Sequence, residues 1–93
     1  MRAKVETIFF KNDRELNVSK LNIELTDETC VVTMIGIDLN QWKADTVLSE
    51  VVLETNCGID KAVDYVVCTN GSKWKRSRYT GYILEQRALN KGR

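Results

Sequence analysis

The chain predicts an α+β fold in a single small domain spanning residues 1–93. It consists of an N-terminal antiparallel β-meander, one or two helices over about 44–55 and 59–69, and a basic C-terminal strand followed by a short helical tail. Three observations lead there. Before residue 38, apolar residues alternate with polar ones or run together in short β-rich segments. From Ala44 the spacing changes to that of a helix. Past Asn70-Gly71, four of the six residues from Lys73 to Arg78 are Lys or Arg.

Residues 3–11, AKVETIFFK, alternate at Val5, Thr7 and Phe9 and are rich in β-formers, which predicts a strand. Asn12-Asp13 is a turn signal. Leu21, Ile23 and Leu25 alternate with Asn22, Glu24 and Thr26, as in a strand with one wet face. A short polar stretch then leads into CVVTMIGI at 30–37, apolar nearly throughout. It reads as a strand covered on both faces, with Val32, Met34 and Ile35 inaccessible. Gly36 there marks a bulge or a close backbone approach. Together these segments make the meander.

From Ala44, apolar residues fall at 44, 47, 48, 51 and 52, with Lys43, Asp45, Ser49, Glu50 and Glu54 opposite them. That is helical spacing. Asn40 or Asp45 can cap its start, Asn56-Cys57-Gly58 can end it, and Trp42 is placed to seat it on the sheet. In IDKAVDYVVCT at 59–69 two signals conflict. Apolar positions at 59, 62, 63, 66 and 67 are helical, with Asn70-Gly71 as a left-handed cap. The β-branched and aromatic types instead suggest a strand over 62–69, paired with 73–84 across an Asn-Gly hairpin turn. The unbroken spacing from Ile59 favours the helix. A strand is expected for about 74–83, and good helix formers from Leu84 to Leu89 before Gly92 predict the tail helix.

With 43% apolar and 29% charged residues the chain is ordinary for a globular domain. The N-terminus has neither an apolar run of signal-peptide length nor a small-residue cleavage site. No stretch approaches the roughly 18 apolar residues of a membrane-spanning helix. The expected setting is cytoplasmic, away from membranes. Cys30, Cys57 and Cys68 are an odd number with wide gaps, which suits reduced thiols rather than a disulfide framework.

Catalysis has little to work with. There is no histidine to serve as base beside a nucleophile or as a zinc ligand, and no Gly-rich phosphate loop. The carboxylates at Asp13/Glu15 and Asp27/Glu28 fall in predicted turns, where solubility accounts for them. The chain is expected not to be an enzyme and to need no cofactor or metal.

The charge distribution is more informative. Residues 1–72 hold 7 Lys and Arg against 12 Asp and Glu, whereas the basic C-terminal segment 73–93 holds 7 against 1. Such polarity signals an interaction surface. Lys73, Lys75, Arg76, Arg78 and Arg87 could neutralise phosphates, and Trp74, Tyr79 and Tyr82 could stack on unpaired bases. On one continuous strand, Trp74, Arg76, Arg78, Thr80 and Tyr82 share a face, and Lys75, Ser77, Tyr79 and Ile83 share the other. The expected function is a small non-enzymatic binding module for nucleic acid, single strands preferred, acting through 73–82. The alternative is a protein-binding adaptor or inhibitor, or a self-associating homo-oligomer, docking through the acidic body and basic tail.

Overall fold

A computed structural model describes residues 2–28, 30–37, 45–78 and 81–85. Seven strands run β1 Arg2–Phe10, β2 Glu15–Asn17, β3 Glu24–Glu28, β4 Val31–Ile35, β5 Val63–Cys68, β6 Lys73–Ser77 and β7 Gly81–Leu84. Two helical pieces, α1 Thr46–Thr55 and the single turn α2 Ile59–Ala62, lie between β4 and β5. Half of the described residues are strand and 19% are helix, so the α+β expectation is corrected to a mostly β fold. Six strands close a barrel in the order β1-β3-β4-β7-β6-β5, and β2 adds to β1 outside that ring.

The long strand β1 makes closure possible. Its first residues pair with β3 (Ala3 opposite Leu25), its later ones with β2 (Ile8 opposite Leu16), and its other edge takes β5 from Val5 to Phe10. The N-terminal strands are therefore not a simple meander, because β2 and β3 both pair with β1. With β5 returning beside β1, strands β1, β3, β4 and β5 form a Greek key. Among the described residues the last contact in the ring is a single pair: Val32 of β4 faces Gly81 of β7, a bridge of parallel sense. Gly81 has φ +76°, and a Cβ there would lie 2.1 Å from the Val32 carbonyl oxygen. Only glycine fits that approach.

A bulge decides which residues of β1 face the core. Between Val5 and Thr7 the register against β5 slips, so the alternation at Val5, Thr7 and Phe9 does not persist. Val5, Ile8 and Phe10 are buried, while Thr7 and Phe9 turn outward. Re-aiming side chains is what a bulge does to a strand. In β4 the expected two-sided cover is also absent. Val32 and Met34 are half-buried against the core, but Val31 and Ile35 are exposed, Ile35 by 41%. Gly36 does mark a close approach, since a Cβ there would lie 2.3 Å from the Asn22 carbonyl oxygen.

Helix α1 begins and ends on the caps read from the sequence. The Asp45 carboxylate accepts from the backbone N–H of Val47 (2.9 Å) and Leu48 (3.2 Å), and Asn56 closes the helix in the left-handed region. Leu48 and Val51 face the barrel, each worth roughly 1.5–3 kcal/mol on burial. Leu48, with Ile59 of α2, closes the barrel end over Ile8, Phe10 and Ile23, leaving an apolar gap of about 20 Å³. The acidic side of α1 is tied to the β1–β2 turn, Arg14 pairing with Glu50 and Asn12 Nδ2 donating to Glu54 at 2.8 Å.

The helix expected over 59–69 is one turn long. It stops at Ala62, and Val63–Cys68 extends as β5 against both β1 and β6. Helical spacing at 59–67 is compatible with this, because Ile59, Ala62, Val63 and Val66 all reach the core from a turn followed by a strand. What tips the balance is β1, whose free edge satisfies a strand's backbone groups along its whole length. The strand expected over 74–83 is also corrected. The chain reverses after Ser77, and β7 folds back on β6 with Tyr82 opposite Arg76 and Ile83 opposite Lys75. Leu84, expected to start the tail helix, ends β7. The tail from Gln86 onward, Asn40 and Trp42 lie outside the described residues.

Candidate functional site

The site is organised by the β5–β6 hairpin. Asn70 Oδ1 accepts from both the backbone N–H (3.0 Å) and the hydroxyl (2.6 Å) of Ser72, holding the turn. The Ser72 hydroxyl in turn accepts from Trp74 Nε1 at 2.9 Å. Trp74 is half-buried and packs against the core, so its indole anchors the hairpin to the barrel.

Beyond the turn, β6 alternates its basic residues. Lys73 and Lys75 point outward on the side of Tyr65, which stands opposite Lys75 in the register. Lys73 Nζ sits 4.2 Å from the centroid of the Tyr65 ring, which is stacked on Phe9 at 4.4 Å and 11°. Arg76 follows the Trp74 face, and its guanidinium bonds the Asp60 carboxylate at 2.9 Å, tying β6 to α2. Asp60 is 70% exposed, so this pair contributes at most about 1 kcal/mol.

Lys75, Arg76 and the exposed Arg78 meet Lys11 and Lys61 around one open groove of about 610 Å³. Among the described residues Asp64 is the single carboxylate lining it. Five cations thus come from β6 and its end, from the residue after β1, and from α2. Among the described residues no ion pair reaches Lys11, Lys61, Lys75 or Arg78. Positive side chains converging on a concavity raise the local concentration of anions.

The other residues singled out from the sequence fall elsewhere. Tyr82 is 4% exposed and points into the barrel, where it cannot offer its ring to a ligand. Among the described residues its hydroxyl has no hydrogen-bond partner. Burial holds this phenol well above the ordinary tyrosine range; the Asp60 carboxylate adds to the shift and Arg76 opposes it. Tyr79 and Arg87 lie outside the described residues. Lys11, Lys61, Phe9 and Tyr65 were not read as site residues. Lys11 and Lys61 become neighbours only because the Lys11 N–H donates to the Ala62 carbonyl at 2.9 Å, a contact 51 residues apart in the chain that no local pattern announces.

The three cysteines are free: Cys30 exposed, Cys57 half-buried and Cys68 buried. Burial pushes the Cys68 thiol up, against a smaller lowering by a hydrogen bond with Ser72, which makes it a poor nucleophile. Among the described residues no group of three Cys, Asp or Glu is placed to hold a metal ion, and no helix is long and apolar enough to cross a membrane. No protein family, curated protein or solved structure matches this chain.

Proposed function

We propose that the chain is a small non-enzymatic binding module that holds single-stranded nucleic acid along the groove bounded by Lys11, Lys61, Lys75, Arg76 and Arg78. The observation that carries this reading is the convergence of five cations on one concavity with, among the described residues, a single carboxylate between them. Arg76 is engaged by Asp60, which leaves about four charges to meet phosphates. A single strand suits the surface better than a duplex. Among the described residues the one helix of useful length, α1, carries two Glu and no Lys or Arg, so it has nothing to place in a major groove. A basic groove with aromatic rings nearby is what an unpaired strand uses.

Fluorescence anisotropy with a labelled single-stranded oligonucleotide tests this at about 50 and 200 mM salt. Four contacts give an expected slope of log K against log salt near −3, and Lys75→Ala should make it shallower by about 0.7. Lys4→Ala, beside Glu24 and near the other end of β1 from Lys11, should leave affinity and slope unchanged. Absence of binding at the lower salt with protein in the tens of micromolar would overturn the proposal.

A second reading, docking of a protein partner or of a second copy, draws on three of the exposed apolar residues, Ile83 beside the basic groove and Val31 and Ile35 on β4. Its signature is a change in molecular mass by light scattering that reverses with salt and is lost in Lys75→Glu, with no affinity for the oligonucleotide.

A further inference from the structure

We infer that the stacked pair Phe9–Tyr65 is the platform on which an unpaired base of the bound strand lies, with Lys73 as the cation that gives up its place on the ring. The inference rests on the single-strand reading of the groove and names a base-contacting site for it.

The bulge after Val5 is the first support. It sends Phe9, an aromatic that β1 would otherwise turn toward the core, to the outer face. There Phe9 stands directly opposite Tyr65, and both rings are half-buried rather than covered. The second support is position. Lys75, opposite Tyr65, lines the groove; Asp64, next to Tyr65, lines it too; and Lys11 follows Phe9 by two residues. The platform is therefore on the rim of the basic groove. A backbone held by those cations would bring its bases within reach of the rings.

The third support is Lys73. Its ammonium lies 4.2 Å from the Tyr65 centroid, over a ring that Phe9 already stacks. A cation over a half-exposed ring is held weakly compared with a stacked base. When a base takes that position, the ammonium swings off the ring into solvent, and the count of ion contacts stays at about four. On the opposite side the exposed Glu15 faces Phe9 from β2 and repels phosphate, so the strand runs along β6 and not across β2.

The test uses the full chain and two labelled probes of equal length, an oligothymidylate and an abasic strand with the same phosphates. The native protein is expected to bind the oligothymidylate about tenfold more tightly. Tyr65→Leu should remove most of that preference while leaving abasic affinity unchanged, and Tyr65→Phe should retain it. In a second measurement needing no variant, photo-crosslinking of a bromouracil-substituted strand to the native protein is expected to label Tyr65 or Phe9. Equal affinity for both probes, or crosslinks confined to Trp74, would overturn the platform while leaving the groove reading intact. Failure to bind either probe would overturn both.

Discussion

Two walls of the same barrel treat charge in opposite ways. On the β3–β4 side the outward residues come in balanced sets. Lys4 stands opposite Glu24, Arg2 bonds Glu24 at 3.6 Å, and the neighbouring positions are Thr26, Thr33 and the exposed Ile35. On the β5–β6 side the outward residues are Tyr65, Val67, Lys73 and Lys75, and the cations meet rings or one another. Both walls are antiparallel hairpins of similar length, so backbone geometry does not separate them. What differs is whether charge is cancelled within the wall or left for something outside it. Surface pairs like Arg2–Glu24 add little to stability, and unpaired cations cost little. The second wall can therefore carry a ligand site without endangering the fold.

The largest effect that would break this comparison is at the seam joining the walls. Gly81→Val adds left-handed strain to a clash with the Val32 carbonyl, a combined cost of about 4 kcal/mol. The melting temperature should fall by about 15 °C or more, or the chain should fail to fold. A melting temperature unchanged in that variant would mean that β4 and β7 do not meet at Gly81.

Next in size is the contrast between inward and outward residues of the first wall. Leu25→Ala, at a fully buried position, should cost about 2–5 kcal/mol. Ile35→Ala, at an exposed one, should cost less than about 1 kcal/mol. Denaturant melts of the two variants check the pair, and similar losses would contradict the orientation of β4. Here the sequence misleads for a physical reason. The run CVVTMIGI looks covered on both faces because apolar residues need not be buried, and a small barrel cannot cover every one.

The smallest effect concerns the second wall's interior. Removing the unpartnered hydroxyl with Tyr82→Phe should raise stability by about 1 kcal/mol. The sign of its pH dependence follows from the raised pKa. Below about pH 10 the phenol is protonated in both the folded and the unfolded chain. Above that, the unfolded chain releases the proton while the buried phenol keeps it, so stability falls as pH rises further. The Phe variant should lose that part of the alkaline decline. A drop in stability on substitution would show that the hydroxyl has a partner after all.

The features that were legible in the sequence are those fixed within a few residues. Asp45 and Asn56 bound α1 because capping is a bond between a side chain or a left-handed residue and the adjacent turn. The Asn70-Gly71 signal marks a hairpin turn, although apolar spacing from Ile59 argued for a helix there. The concentration of Lys and Arg in 73–78 was visible, and Lys75, Arg76 and Arg78 do line the groove. Tertiary structure alone decided the rest. Pairing of β1 with β5 turned 63–68 into a strand, and the bulge in that pairing chose Ile8 and Phe10 for the core and Phe9 for the surface. Folding of β7 onto β6 buried Tyr82, and the contact between Lys11 and Ala62 brought two further cations to the groove. Each of these depends on backbone groups far apart in the chain finding partners, and a period read along one segment carries no record of which distant edge will satisfy it.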